Sequence, residues 1–235
     1  MNNFSNQEQI LFLDIETVPQ YPALDDCPEE LKKLWSRKSE NLRKSEGESP
    51  ADIYNRAGIY AEFGRIVCVS CGYLKFKETT FELRIKSFSG EDEAALLNDF
   101  AGLLNSHYSK ADSRLCAHNG KEFDFPYLAR RMVINGIALP AILDTGGKKP
   151  WEVHFLDTME LWKFGDFKNY TPLNLLTYVL GIPSPKDDID GSQVWSVFWH
   201  DRDIARIARY CEKDVEALAN VYLKMKGMPA AVRIS

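Results

Sequence analysis

The order of the apolar runs constrains this chain most. Residues 10–15 read as a strand, and 66–73 (IVCVSCGY) and 78–88 (ETTFELRIKSF) as two more, the last alternating around Phe81, Leu83 and Ile85. No helical stretch separates the second and third, so they pair antiparallel. From there strands and helices alternate. SGED at 89–92 has the form of a capping box, and Leu97, Phe100, Ala101 and Leu104 then recur at helical spacing. RLCAH at 114–118 reads as a short strand, FPYLARRMVING at 125–136 as a helix stopped near Gly136, and VHFLDT at 153–158 as a strand. TPLNLLTYVLG at 171–181 reads as a helix with Thr171 as N-cap, Pro172 in the first helical position and Gly181 as stop. SQVWSVFW at 192–199 suggests a short helix. The longest helix spans 202–227, with Ile204, Ile207, Cys211, Val215, Leu218 and Tyr222 on one stripe. Strands that alternate with helices pair in parallel. The pattern therefore predicts an α/β chain with a mixed central sheet flanked by helices.

Residues 20–64 interrupt this scheme, because connections between elements usually run to only about 2–6 residues. The stretch carries Leu31, Leu34, Trp35 and Leu42 on one side, so we expect a helical insertion into a single domain spanning 1–235. It reads either as a helix packed on the domain edge or as a substrate lid using Trp35, Arg37 and Lys38. Length and composition fit that organisation: 235 residues, 45% hydrophobic and 27% charged, are ordinary for a globular domain. The net charge of −5 does not advertise a nucleic-acid partner, although a local basic groove is compatible with it. The five Cys lie mostly in apolar runs and read as reduced core thiols. No run approaches the ~20 apolar residues of a membrane span, and the polar start MNNFSNQEQ lacks a signal-peptide pattern. Together these lead us to expect a cytoplasmic protein with no membrane contact.

The first strand continues into two acids. Alternate residues of a strand share a face, so Asp14 and Glu16 lie side by side near its end. Unpaired burial of both would cost several kcal/mol or force protonation. A divalent cation relieves the repulsion, and hard oxygen ligands suit Mg²⁺ or Mn²⁺. A lone D-x-E has a plainer reading, as a turn cap or a lysine partner. Asp124 also follows an apolar strand, so it can reach the same sheet edge, although Asp at a helix start is ordinarily a cap. Tyr210 and Asp214 lie four apart in the long helix, on the flank of its buried stripe. Tyr21–Asp25 and Tyr108–Asp112 match the same spacing, but Pro22 interrupts the first and the second falls in a polar loop.

In order, Asp14-x-Glu16, Asn119-x-x-x-Phe123-Asp124 and Tyr210-x-x-x-Asp214 resemble the DEDD superfamily of 3′–5′ exonucleases, in its tyrosine branch. The phrases FLDIETVP, GRIVCVSCGY, AHNGKEFDFPYL and YCEKDV look most like stand-alone relatives of the proofreading exonuclease domain of family-B DNA polymerases. The histidine branch would need His where Arg209 stands. The resemblance implies a ribonuclease-H-like fold with a mixed five-stranded sheet. It implies two divalent ions, Mg²⁺ or Mn²⁺, held by Asp14, Glu16, Asp124 and Asp214, with Asp14 bridging both, and Tyr210 orienting the attacking water. It further implies that the backbone at Thr17 meets the terminal 3′-OH, that Asn119 steadies substrate or loop, and that Phe123 packs against the terminal nucleotide. Phe123 is equally compatible with plain core. The implied activity is metal-dependent removal of nucleoside 5′-monophosphates from 3′ ends of single-stranded DNA. The alternatives are an exoribonuclease with the same chemistry and a non-catalytic nucleic-acid-binding module.

The remaining candidates have plainer readings. Cys68 and Cys71 are three apart on a strand, on opposite faces, with no second CxxC to complete a zinc site. His118 reads as a satisfied hydrogen-bonding residue near the acidic edge. Asp157, Asp187, Asp188 and Asp190 read as caps and turns. Lys186 is a candidate phosphate contact by resemblance, and Arg130, Arg131, Lys148, Lys149, Lys163 and Lys168 either track a phosphate backbone or form a solvated surface.

Overall fold

In the computed structural model, residues 5–42, 47–166, 170–183 and 189–234 are described. Ile10–Pro19 form the central strand β1, and all but Asp14 and Thr17 are buried. A strand covered on both faces has no solvent side, which is why its run is apolar on both parities until the acids begin. The segment 20–64 contributes α1 (Glu29–Ser39). β2 (Gly64–Lys77) then pairs antiparallel with β1, and β3 (Thr80–Ser89) antiparallel with β2. α2 (Glu93–His107) leads to β4 (Arg114–Ala117), parallel to β1. α3 (Asp124–Ile134) follows, then β5 (Leu156–Asp157), parallel to β4. α4 (Thr158–Lys163), α5 (Leu173–Leu180), α6 (Val194–Ser196), a π-helical turn at Val197–Asp201 and α7 (Ile204–Met225) precede β6 (Ala231–Arg233). The sheet order is β5-β4-β1-β2-β3-β6.

The mixed sheet flanked by helices is the expected architecture, with one strand more than expected. β6 has three residues, two of them exposed, so it leaves no alternation in the sequence. Its Ala231 N–H donates to Asn220 Oδ1 of α7 at 2.9 Å, so the strand is placed by tertiary contact.

The two parities of β1 face different helices. Leu11, Leu13 and Ile15 pack with Leu97, Phe100 and Leu104 of α2 and with Tyr127, Leu128 and Met132 of α3. Ile10 and Phe12 pack beneath Val215, Leu218 and Tyr222 of α7, and Val18 sits farther along with Cys68, Ile207 and Cys211. Asp14 and Glu16 share this second parity, so they face α7. Cys71 belongs to the opposite core layer from Cys68, as their spacing requires.

Several local expectations are corrected. The segment 153–158 is strand only at Leu156–Asp157, because Asp157 caps a helix that its own carboxylate starts, accepting from the Met159 and Glu160 N–H groups. The cap of α2 is Asp92, which accepts from Ala95 N–H, while Ser89 ends β3. Pro172 is the N-cap of α5 in extended conformation rather than its first helical residue. Gly181 does stop α5, at φ +66°. In the insertion, Trp35 is fully buried among Cys27, Ile53, Tyr54 and Ala57 and donates from Nε1 to Pro50 O at 2.8 Å. It is a core residue and cannot meet substrate, whereas Leu34 faces solvent. Lys168, Lys186, Asp187 and Asp188 lie outside the described residues.

Glu93 and Arg131 were not paired by sequence reasoning. Arg131 Nε donates to Glu93 Oε1 at 2.9 Å and its NH1 to Ala61 O at 2.8 Å, while Ile66 N–H and Asn135 Nδ2 also donate to the Glu93 carboxylate. The pair is buried with its partners satisfied, and it fastens α2, α3 and β2 together behind the insertion.

Candidate active site

The register of β1 decides where its acids point. Glu16 lies opposite Cys68, but Thr17 lies opposite Ile66, so Val67 is an extra residue on β2. Such a bulge bends the pair locally and re-aims side chains. Because β4 runs parallel to β1, with Cys116 beside Phe12, the loop leaving β4 emerges beside Asp14 and Glu16. This is the carboxyl end of parallel strands, where open α/β sheets place their ligands.

That loop turns sharply into α3. Asn119 is left-handed at φ +61°, a conformation Asn tolerates better than most residues. A Cβ on Gly120 would lie 2.3 Å from Ala117 Cβ, so no side chain fits there. Asp157 ties the turn: its Oδ1 accepts from Asn119 N–H at 3.0 Å and its Oδ2 from Lys121 N–H at 3.1 Å. Asp124 thereby opens α3 buried, with its carboxyl accepting from its own N–H and from the Ile15 N–H between the two acids of β1. On α7, Tyr210 and Asp214 are half-buried and hydrogen-bonded to each other.

The four carboxylates act on one another electrically. Burial raises Asp14 well above the usual carboxylate range, and the charges of Glu16, Asp214 and Asp124 raise it further. Burial and the charges of Asp214 and Asp124 do the same to Glu16. Asp124 is raised to about 7, chiefly by burial, against the two N–H groups that pull it back. Tyr210 is raised by burial and by Asp214, Glu16 and Asp14, so its hydroxyl keeps its proton. Among the described residues, no lysine or arginine is a cause of these shifts. A set of hard oxygen donors, buried or half-buried together, fits a divalent cation.

The softer site residues are placed as follows. Thr17 is half-buried, and its side chain bonds to the hydroxyl of Tyr127, which donates to Gly58 O at 2.8 Å. Phe123 is partly buried, with its ring 5.3 Å from that of Tyr127. Asn119 Oδ1 is buried with no hydrogen-bond partner among the described residues. His118 is a satisfied neutral residue: Thr171 O at 2.9 Å takes the Nε2 proton, leaving Nδ1 to accept from the Thr158 hydroxyl at 2.9 Å. Burial lowers its pKa, in keeping with that neutral form. Asp157 and Asp190 serve caps and turns.

Sequence reasoning missed Cys211. By sequence it reads as a reduced core thiol on the apolar stripe of α7, yet its Sγ lies 3.3 Å from Asp14 Oδ2, and Asp14, Glu16 and Cys211 bring ligand atoms within 4.8 Å of one another. The available signal was its place beside Tyr210 on the stripe that faces β1.

Residues 59–234 match the family described as a predicted 3′–5′ exonuclease related to the exonuclease domain of PolB. No curated protein matches the chain. Among solved structures, the family B DNA polymerase from the hyperthermophilic archaeon Pyrobaculum calidifontis superposes with a TM-score of 0.50 at 15% identity. The match covers 89% of this chain and 23% of the polymerase, a likeness of fold. Among the described residues, no helix is long and apolar enough to cross a membrane.

Proposed function

The chain belongs to the family of predicted 3′–5′ exonucleases related to the exonuclease domain of PolB, and we propose that it hydrolyses single-stranded DNA from the 3′ end with two divalent ions, Mg²⁺ or Mn²⁺. The observation that carries this reading is the convergence of Asp14, Glu16, Asp124 and Asp214, from three separate segments, on one spot where burial and the charges of Asp214 and Asp124 raise the pKa values of Asp14 and Glu16. We assign Asp14, Glu16, Asp124 and Asp214 to hold the ions. Divalent ions bound there supply a lowered pKa for the attacking water and charge stabilisation of the leaving 3′ oxygen.

The chain's own groups do the rest. Asp14 is held in β1 opposite Ser70 of β2, so strand pairing fixes its backbone before substrate arrives. Tyr210 keeps its proton and is held by Asp214, so its hydroxyl can orient the attacking water by hydrogen bonding. The Thr17 backbone lies at the bulge, at the depth of the acids, and is our candidate contact for the terminal 3′-OH. Asn119 Oδ1, buried and unpartnered, is our candidate for steadying the last nucleotide, with Phe123 packing against its base. Retention of all four carboxylates and Tyr210 supports hydrolysis over a purely binding role.

The test is cleavage of 5′-labelled DNA and RNA oligonucleotides in Mg²⁺, Mn²⁺ or excess EDTA. We expect stepwise shortening of the DNA from its 3′ end with either metal and none in EDTA. Full turnover in EDTA would overturn the mechanism. Preferential shortening of RNA would reassign the substrate to the exoribonuclease reading.

A further inference from the structure

Cys211 lies at the centre of the α7 stripe and has no exposed surface. Its Sγ is 3.3 Å from Asp14 Oδ2 and 3.4 Å from Asp14 O, within sulfur hydrogen-bonding distance of both. It is also hydrogen-bonded to Cys68, the residue opposite Glu16 on β2. The two thiols thus form a floor under both acids of β1. An ionised carboxylate is acceptor-only, so in the ion-binding form of Asp14 the bond to Oδ2 must be donated by the thiol.

We propose that Cys211 is a positioning residue for Asp14, its thiol engaging Oδ2 so that the carboxylate's remaining lone pairs face the site. This rests on the metal-dependent reading above. The choice of sulfur has a physical reason. An Ala would leave Oδ2 without this donor. A Ser at the same place has a shorter reach and a competing bond to the carbonyl one turn back, at Ile207. A thiol is a weak donor, so it orients the carboxylate while drawing off little of the negative charge that attracts a cation. Hard ions prefer oxygen, so sulfur acts behind the ligand instead of as one.

Partners that orient a ligating group typically contribute about 10–100-fold to metal affinity. For this weak donor we expect the Kd for Mn²⁺, measured by titration calorimetry without substrate, to rise about tenfold in Cys211→Ala. Cys211→Ser should recover part of that loss, and each variant should keep a cooperative metal-free melting transition, lowered by the core change itself. A Cys211→Ala variant that binds Mn²⁺ like the parent would reduce Cys211 to core filling and overturn the inference. Equal, complete loss of Mn²⁺ and Cd²⁺ binding in both folded variants would make sulfur a ligand and also overturn it. Should Cys211→Ala fail to fold, the Ser variant decides: weakened but measurable affinity supports positioning, and parental affinity or complete loss opposes it. If the parent itself binds no Mn²⁺, the metal-dependent reading falls first and this inference with it.

Discussion

A carboxyl buried at the start of a helix, with little water around it, keeps its proton at a pH where a solvated one has lost it. For Asp124 the folded-state value is about 7, against an ordinary value near 4. Between those limits the folded chain binds a proton that the unfolded chain has released. The stability this contributes is therefore full below about pH 4 and is lost as pH rises through about 7. The raised values of Asp14 and Glu16 act in the same direction. We predict that the metal-free protein melts lower at about pH 8 than at about pH 5.5, and that saturating Mn²⁺ raises the melting temperature more at the higher pH. A Mn²⁺ effect independent of pH would argue against proton–metal competition at these carboxylates. At Tyr210 the prediction concerns rate. Tyr210→Phe keeps the ring and removes the hydroxyl, so single-turnover cleavage of 5′-labelled DNA should slow by roughly 10²–10⁴-fold, with Mn²⁺ affinity nearly unchanged. Equal rates would make Tyr210 a packing residue.

Among the elements, the β4–α3 turn is tightly specified, because it must deliver Asp124 beside β1. Gly120→Ala places a methyl where Ala117 Cβ and the Phe125 ring already lie. We predict a loss of about 1–3 kcal/mol in urea unfolding and weaker Mn²⁺ binding, because the start of α3 must shift. The Glu93–Arg131 pair separates fold from site. Glu93→Ala strands a buried guanidinium, which costs about 3–5 kcal/mol, yet it touches no residue of the acid cluster. The folded variant should bind Mn²⁺ with near-parental affinity in calorimetry. A large loss of affinity would show that the pair also sets the geometry of the site.

At the scale of the molecule, the site opposes the fold. The sheet and its helices bring together charges that would separate in an unfolded chain. Asp14→Asn removes one of them and should raise the metal-free melting temperature by about 2–4 °C, the shift expected for about 1 kcal/mol in a chain of this size. The same variant should abolish cleavage and most of the Mn²⁺ stabilisation. A lowered melting temperature would mean that Asp14 is a net structural asset in the absence of metal.

The sequence by itself determined the mixed sheet flanked by helices, the parity of β1 and the helical frame of Tyr210 and Asp214. These depend on periods of two and of about 3.6 residues, which are local properties of a chain. It also carried the ordered acidic motifs, since each is a short segment with its own spacing. It did not determine β6, the start of α4 at Asp157, or the burial of Trp35, because each is set by contacts between segments distant in sequence. Cys211 shows the limit most clearly. On its helix it is one more apolar residue, and only the packing of α7 across β1 puts its sulfur against Asp14. The bulge at Glu16 and Thr17 and the buried Glu93–Arg131 pair belong to the same class. Register between strands and the pairing of buried charges are decided when the layers close, since their energies depend on which groups lose water together.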